Sequence, residues 1–453
     1  MLEGLEISEV MLSESIKNNR YDSEYYKKHF LDVEYLLSSK KHFRIKDEFT
    51  VTDGEHGSVE YLDAGIKYLT AENIKNGFID VSNVKYVSEE VDNRNKRASV
   101  EAQDVLVSIK GTLGQVAIAE AWQKPCNMNR DVAIIKAKHN KIKNEYLAVF
   151  LMTRFGNVQS ARGGSGGVQQ MITLERLRMF YVPRQTDEFY LKISGVYNTF
   201  LSNLSKSKAL YSEAENLLLS ELGLKNWQPN NAPVNIKQLK ESFLASGRLD
   251  AEYYQSKYED YTRFIRKYMN GSDVLGNICS LNDKNFSPIE NVEYKYIELS
   301  NIGNSGEITG CTTSIGAELP SRARRLVHTN DVIVSSVEGS LQSVALVTAE
   351  YNKAICSTGF YVVKSEAINP ETLLVLFKSV PIQNLLKQGC SGTILTAIGR
   401  NELRNMVIPK IKSEVQKEIA EYVQKSISLR NEAKRQLENA KIMVEKEIEK
   451  GGE

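Results

Sequence analysis

Two short basic clusters occur at corresponding positions along the chain, RNKR at 94–97 and RARR at 322–325. Guanidinium and ammonium groups neutralise nucleic-acid phosphates, and an arginine fork can donate to O6 and N7 of guanine in a major groove. A single cluster of this kind is usually a solvated charged turn. Because the cluster is present twice, the sequence favours contacts with DNA through Arg94, Lys96, Arg97, Arg322, Arg324 and Arg325.

Polar side chains follow the predicted strands of both halves of the chain. Lys110 and Thr112 come directly after a predicted strand at 104–109, and Arg130 precedes another at 132–136. Side chains at such strand ends could project towards the edges of bases. The counterparts of the first pair are Glu338 and Ser340, which differ chemically from Lys110 and Thr112. We therefore expect the two halves to read different sequences.

Glycine-rich runs occur at 162–167 (RGGSGG), with a glutamine shortly after, and at 388–393 (QGCSGT). Without side chains in the way, backbone N–H groups there could approach a phosphate closely. The alternative is a flexible turn before a strand, and the sequence leaves both open. The candidate residues are Gly164, Ser165, Gln169, Ser391 and Thr393.

Signatures of catalysis are missing from the sequence. There is no G-x-x-x-x-G-K-[ST] loop, no H-E-x-x-H run and neither Asn-Pro-Pro-Tyr nor Asp-Pro-Pro-Tyr. The five histidines are far apart, and the five cysteines form no C-x-x-C pair. Scattered cysteines suit a reducing cytoplasm and predict neither a disulfide framework nor a zinc site. We expect no cofactor, no metal and no catalysis by this chain alone.

The composition is that of an ordinary soluble protein with room for two or three domains. The chain has 453 residues, 42% of them hydrophobic, and a formal net charge of +1. The whole molecule therefore has no general attraction for nucleic acid, and any binding must come from local patches. No apolar run is long enough for a membrane span, and the acidic N-terminus does not resemble a signal peptide. We expect a cytoplasmic protein without membrane contact.

An internal repeat organises the chain. RYDSEYY at 20–26 returns as RLDAEYY at 248–254, and DVLVS at 104–108 returns as DVIVS at 331–335. Both copies end in a proline, Pro183 and Pro409, that leads into a long helical pattern. Order and spacing hold throughout, so the unit is a globular α+β domain followed by a long helix, present twice. The repeated tyrosines could stack on bases, but packing roles are favoured because both copies keep them.

Two helices are predicted at 186–222 and 413–449, each far longer than the usual 11 or 12 residues. Their apolar residues recur at alternating steps of three and four, the spacing of a seam between paired helices. The alternative is that each is a long amphipathic helix covering its own domain. The residues assigned to helix pairing and partner binding are Ile193, Phe200, Leu204, Ile419, Leu429 and Val444.

This arrangement resembles the DNA-specificity (S) subunit of type I restriction-modification enzymes over nearly the whole chain. The most recognisable residues are Ile408-Pro409 followed by Gln416 and Ile419, the Ser-Gly loops, and the repeated Arg-x-Asp-x-Glu-Tyr-Tyr. Tyr190 departs from the pattern, since a glutamine is expected there and is present at Gln416. The resemblance implies two target-recognition domains, each reading half of a split site on double-stranded DNA. It also implies that an antiparallel coiled coil of the long helices fixes the gap and docks methyltransferase (M) subunits.

The sequence therefore predicts an α+β protein with two repeated recognition domains separated by two long helices. The expected parts are a first domain at 1–185, a central helix at 186–222, a linker at 223–235, a second domain at 236–411 and a C-terminal helix at 412–450. The expected function is non-catalytic DNA recognition with M subunits, two in number, and a restriction (R) subunit where the system has one. The alternative is a coiled-coil scaffold whose two domains bind proteins.

Overall fold

The structure is a computed structural model that describes residues 6–139, 141–165, 170–232, 234–282, 284–392 and 396–450. The chain divides into two compact units. Unit 1 consists of residues 1–204 and 431–453, and unit 2 consists of residues 205–430. Each unit therefore contains one copy of the repeat and a portion of both long helices.

Unit 1 begins with short helices and then alternates strands with helices. Its helices are α1 (Leu12–Asn18), α2 (Lys28–Ser39), α3 (Ile45–Glu48), α4 (Glu89–Arg94), α5 (Asn144–Met152), α6 (Arg154–Gly163) and α7 (Leu174–Arg178). Its strands are β1 (His42–Arg44), β2 (Phe49–Asp53), β3 (Ile66–Leu69), β4 (Ile74–Lys75), β5 (Phe78–Ile79), β6 (Lys85–Val87), β7 (Val105–Ser108), β8 (Val116–Ile118), β9 (Cys126–Met128), β10 (Val132–Ala137), β11 (Gly164–Ser165), β12 (Met171–Ile172) and β13 (Tyr181–Pro183).

The central sheet of unit 1 has the strand order β2-β10-β7-β8, with antiparallel neighbours. Both of its faces are buried, so β7 is apolar without alternation. Val105 and Val107 belong to the cluster that includes α5, whereas Leu106 belongs to a second cluster with Leu69 and Met128 of the β6-β3-β9 sheet. Strands covered on both sides are expected to be continuously apolar.

The long helix α8 (Asp187–Glu221) follows β13, and unit 2 then repeats the pattern. The further helices are α9 (Phe243–Ser246), α10 (Ser256–Arg266), α11 (Leu275–Ile278), α12 (Pro370–Lys378), α13 (Val380–Gln388), α14 (Arg400–Asn405) and α15 (Ser413–Lys450). The strands are β14 (Ser272–Val274), β15 (Cys279–Asn282), β16 (Glu293–Ile297), β17 (Thr312–Ile315), β18 (Ala323–Leu326), β19 (Val332–Ser335), β20 (Val344–Leu346), β21 (Ile355–Ser357), β22 (Phe360–Ser365), β23 (Cys390–Ser391), β24 (Ala397–Ile398) and β25 (Val407–Pro409).

The sheets of unit 2 repeat those of unit 1. The order β15-β22-β19-β20 corresponds to β2-β10-β7-β8, and the pairs β14-β25 and β23-β24 correspond to β1-β13 and β11-β12. The third sheet differs, because β17-β16-β21-β18 has a fourth strand that β6-β3-β9 lacks. The duplicated α+β fold class expected from the sequence is confirmed.

The helices α8 and α15 run antiparallel where they meet in unit 2. Ser207 contacts Ser426 through hydrogen bonds, and Glu221 forms an ion pair with Lys412 at 3.0 Å. In unit 1, Phe200 and Leu437 both belong to the core of that unit. Of the residues assigned to the helix pair, Ile193, Phe200, Ile419 and Val444 are buried in these cores, and Leu204 and Leu429 are half-buried.

None of the helices within the described ranges combines the length and apolar character needed to cross a lipid bilayer.

Candidate nucleic-acid interface

The basic cluster of unit 1 lies where α4 ends and a 3₁₀ turn (Lys96–Ala98) begins. Arg94 Nη2 lies 3.3 Å from Glu55 Oε2, and Arg97 Nη2 lies 3.7 Å from Asp53 Oδ1. The arginine side chains are 56% exposed, whereas Glu55 and Asp53 are 13% and 11% exposed. Two exposed guanidinium groups are thus oriented by carboxylates that lie beneath them.

Glu55 is well suited to hold a cation. Its carboxylate accepts a hydrogen bond from the Gly57 N–H at 2.9 Å and contacts Asn95. The Gly57 hydrogen bond, followed by the charge of Arg94, holds the pKa of the Glu55 carboxyl below its usual range. The carboxylate is therefore ionised at neutral pH. Neither Glu55 nor Asp53 was among the residues predicted from the sequence.

The polar residues after the central strands lie beside this cluster. The Arg130 N–H donates to the Glu55 carbonyl at 3.0 Å, which joins the 129–131 loop to the loop that holds Arg94. Lys110 Nζ lies 3.8 Å from Asp131 Oδ1, with both side chains about a quarter exposed. Arg130 and Thr112 are exposed, as is Lys96. Unit 1 thus brings its predicted cations together around two loops.

The basic cluster of unit 2 has a different local structure but a corresponding neighbour. Arg324 and Arg325 lie in strand β18, and Arg325 Nη1 donates to Asn285 Oδ1 at 2.7 Å. Asn285 follows β15 as Glu55 follows β2. The Thr358 N–H donates to the Arg322 carbonyl at 2.9 Å, so the loop that matches 129–131 also reaches the cluster.

Ser340 does not extend freely from unit 2. It ends the 3₁₀ turn Glu338–Ser340, and its Oγ lies 3.0 Å from Ser335 Oγ. The hydroxyl is used within the turn that follows β19.

The glycine-rich runs form strand pairs where the structure describes them. Helix α6 continues to Gly163, and Gly164–Ser165 then pairs with Met171–Ile172. Ser391 lies in the matching pair with Ala397. Gln169 and Thr393 lie outside the described residues, so their predicted roles stay predictions.

The repeated Arg-x-Asp-x-Glu-Tyr-Tyr motif is used for packing. Arg20 makes two hydrogen bonds to Asp22, at 2.6 and 3.0 Å, and Tyr26 Oη donates to the Arg20 carbonyl at 3.0 Å. In unit 2, Arg248 binds Asp250 in the same way, and Tyr254 Oη donates to the Arg248 carbonyl at 2.8 Å. The same contacts in both units favour the packing interpretation of these tyrosines.

Part of the chain matches a known family. Residues 37–184 match the family model described as the type I restriction modification DNA specificity domain. This segment contains the Arg94 cluster, both its carboxylates and the glycine-rich run. Unit 1 is therefore similar to a type I restriction modification DNA specificity domain over these residues.

Among curated proteins, the chain is similar to the type I restriction enzyme EcoBI specificity subunit of Escherichia coli, with 24% identity over 194 residues. The match covers 42% of this chain and 36% of the relative, so it spans about a third of that protein's length. Together with the family model, it confirms the resemblance to the specificity subunits of type I restriction-modification enzymes.

Two solved structures are similar to most of the chain. The S subunit from M. genitalium has a TM-score of 0.39 at 12% identity, with 90% of this chain and 94% of that chain covered. The HsdS subunit from Thermoanaerobacter tengcongensis has a TM-score of 0.28 at 13% identity, with 90% and 95% covered.

Proposed function

We propose that this chain is the sequence-specific DNA-recognition subunit of a type I restriction-modification complex. The observation that carries the proposal is the recurrence of one constellation. In each unit, an arginine cluster contacts the loop after the first strand of the central sheet, through Arg94 and Glu55 or through Arg325 and Asn285. Arginine forks held by neighbouring side chains, exposed in Arg94 and half-buried in Arg325, suit both phosphate contacts and recognition of guanine.

The site that we propose is bipartite, with one half read by each unit. The units share a sheet order, but their residues differ where side chains could reach bases. Lys110 is replaced by Glu338, Glu55 by Asn285, and Arg130 belongs to a loop matched by Thr358. Residues of different hydrogen-bonding character select different base pairs. The two half-sites should therefore differ in sequence.

The partners that we propose are double-stranded DNA and two methyltransferase subunits, with a restriction subunit where the system has one. Since the seam residues Ile193, Phe200 and Val444 are buried, partner subunits would use the outward faces of α8 and α15. Methyl transfer and cleavage would belong to those subunits, in the cytoplasm. Purified alone, the chain should neither methylate nor cut a plasmid.

The rival function is a coiled-coil scaffold whose two domains bind proteins. The arginine clusters, which recur at matching positions in both units, favour DNA, because guanidinium groups suit a polyanion. Whether the two domains bind DNA or bind proteins distinguishes the two functions.

The test is methylome sequencing of a host that carries this chain with a cognate methyltransferase. The expected result is a methylated site with two specified halves and an unspecified spacer. The matched control carries Arg94→Ala and Arg97→Ala, which should relax or abolish one half while leaving the other specified. A contiguous single site, or methylation that does not depend on this chain, would contradict the proposal.

A further inference from the structure

Each unit contacts the long helices through a tight turn, which lies between β4 and β5 in unit 1 and is closed by a bridge between Ile302 and Ile308 in unit 2. In unit 1 this turn contains Gly77, with φ +94°, and its carbonyl accepts a hydrogen bond from Tyr197 Oη at 2.6 Å. A Cβ on Gly77 would approach Phe200 and Leu437 to within 3 Å, so the turn lies directly against both helices. We call this contact the first seat.

The first seat is apolar. Phe78 follows the glycine and belongs to the same hydrophobic cluster as Met152, Leu204 and Leu437. Leu204 lies on α8 and Leu437 on α15. The domain is held on the helices by burial of apolar surface.

Unit 2 has a corresponding turn at Gly306, with φ +75°, which is one residue longer. A Cβ on Gly306 would approach Leu374 of α12, so here it is the next residue, Glu307, that reaches a long helix. The backbone contacts of the two turns match, since the Thr309 N–H donates to the Asn301 carbonyl at 2.8 Å and the Asp80 N–H donates to the Asn73 carbonyl at the same distance. The side chains differ at every matched position. Glu307 corresponds to Phe78, Lys378 to Met152, Arg430 to Leu204 and Tyr211 to Leu437.

The second seat is therefore charged and largely buried. Arg430 Nη1 lies 3.6 Å from Glu307 Oε2, with side chains 15% and 25% exposed. Lys378 is 6% exposed, and its Nζ donates to the Gln342 carbonyl at 2.8 Å. Within the described residues, Tyr211 Oη and Arg430 Nη2 are buried without a hydrogen-bond partner.

Charged residues in the second seat stabilise the folded protein less than apolar residues of similar size would. Buried charges lose hydration, and a buried polar group without a partner costs free energy that an apolar side chain would not. The first seat demonstrates that a corresponding turn can be held by apolar residues. What charge adds is selectivity, since an ionisable side chain opposite an apolar one has no partner.

We propose that the two seats are selective docking surfaces, in which Glu307 and Arg430 admit the second recognition domain to its own part of the helix pair and reject the first. A domain carrying Phe78 placed on the second seat leaves Arg430 unpaired. A domain carrying Glu307 placed on the first seat buries a carboxylate against Leu204. Each domain is thereby matched to one seat.

The test is a pair of reciprocal mutant cycles in the full-length chain, followed by hydrogen–deuterium exchange. In unit 2 the variants are Glu307→Phe, Arg430→Leu and both together. In unit 1 they are Phe78→Glu, Leu204→Arg and both together. The probes are the Thr309 and Asp80 amides, which make the matched hydrogen bonds of the two turns.

Each single variant should speed exchange at its own probe on the order of tenfold or more, since one charge is left without a partner. Each double variant should restore most of the protection. The probe in the other unit is the internal control and should not change. Additive effects in the double variants would overturn the proposal, as would single variants that leave exchange unchanged. Equal acceleration of both probes would also overturn it, because the effect would then be global unfolding and not loss of one seat.

Discussion

Ser207 and Ser426 exchange hydrogen bonds in both directions across the two long helices. Ser207 Oγ donates to the Ser426 carbonyl at 2.8 Å, and Ser426 Oγ donates to the Ser207 carbonyl at 2.7 Å. Both side chains are fully buried, and the two hydroxyl oxygens lie 3.0 Å apart. Small side chains allow the backbones to approach closely, and the hydroxyls align the two helices at this level of the seam.

Ser207→Ala and Ser426→Ala should each lower the free energy of unfolding by about 1 kcal/mol, the usual net contribution of a buried hydrogen bond. The double variant should lose less than the sum, because the two hydroxyls belong to one interaction. Urea denaturation of the three variants measures this. Ser207→Leu should cost more than Ser207→Ala, because a larger side chain would force the helices apart. Strict additivity would mean that the hydroxyls act independently.

Gln416 should be a strong determinant of stability at the start of α15. Its side chain accepts from the Asn369 N–H at 2.8 Å and donates to the Ala367 and Ile411 carbonyls at 3.0 and 2.8 Å. Gln416→Ala should lower the free energy of unfolding by about 2–4 kcal/mol, since the buried Gln416 side chain makes three hydrogen bonds that alanine cannot make. Gln416→Glu should be less stable at pH 7 than at pH 5, because a carboxylate there would face two carbonyl oxygens.

The matched position in the first repeat provides the control. Tyr190 Oη accepts from the Gln185 N–H at 2.9 Å, and its ring lies 4.8 Å from that of Tyr146. Tyr190→Phe loses only one hydrogen bond, so the expected cost is about 1 kcal/mol. A larger loss at Tyr190 than at Gln416 would contradict this account of the two helix starts.

Lys378 should give unit 2 an alkaline pH dependence. Burial lowers the pKa of this amine from 10.5 to about 8, although Glu307 and Glu215 partly oppose the shift. Between about pH 8 and 10.5 the unfolded chain binds a proton that the folded chain has released. The contribution of Lys378 to the free energy of unfolding should therefore rise with pH across this window.

Thermal or urea unfolding from pH 7 to 10 measures this dependence. The control is Lys378→Met, which places the side chain of the matched residue Met152 at this position. Subtracting the unfolding free energies of the variant from those of the native chain should leave a difference that begins to rise near pH 8. A flat difference would mean that the amine keeps its ordinary pKa.

The arginine clusters should differ in how their removal affects binding. Replacing Arg322, Arg324 and Arg325 with alanine should weaken DNA binding and flatten its dependence on salt, by about 0.9 in the logarithmic slope for each phosphate that is no longer neutralised. Arg94→Ala should change the salt dependence of DNA binding less, because Glu55 already neutralises that guanidinium. Glu55→Gln should make this salt dependence steeper. Fluorescence anisotropy at several salt concentrations, with methyltransferase present, measures all three, and unchanged slopes would exclude these residues as DNA-binding groups.

Lengthening both helices should lengthen the unread spacer of the proposed bipartite site. Seven residues inserted beside Ser207 and seven beside Ser426 keep the phase of the seam. At 1.5 Å per residue the insertion adds about 10 Å, or about three base pairs at 3.4 Å each. Methylome sequencing should then report the same half-sites with a longer spacer. Altered half-sites with an unchanged spacer would contradict the proposal that the helices set the spacer length.

Local sequence patterns predicted the long elements well. The central helix was expected at 186–222 and is Asp187–Glu221, and the C-terminal helix, expected from 413 to 449, is Ser413–Lys450. Their seams contain many consecutive apolar positions, so the periodicity is unambiguous. The segment with the repeated tyrosines forms the 3₁₀ turn Ser23–Tyr26, followed by α2. Asp22 accepts from the Tyr25 N–H and stabilises that turn, which periodicity alone does not reveal.

The candidate site was predictable only in part. The arginines were found because both repeats carry them, but Glu55 was missed because its contact with Arg94 joins residues far apart in the chain. A carboxylate just after a strand gives no periodic signal. The strand order β2-β10-β7-β8 also depends on distant pairings, so no local pattern predicts it. Helix α6 was missed because its polar sequence ends in the glycine-rich run that was interpreted as a loop.

The division of the chain into units has a consequence for its biosynthesis. Unit 2 is one continuous stretch, whereas unit 1 joins residues 1–204 to 431–453, and its core includes Val444 and Ile448. A ribosome adds about 5–20 residues per second, so the roughly 230 residues between the two parts take about 10–45 s to make. Throughout that interval Tyr197 and Phe200 lack the part of their core that the last helical turns of α15 supply. The domain that leaves the ribosome first is therefore the one that finishes folding last.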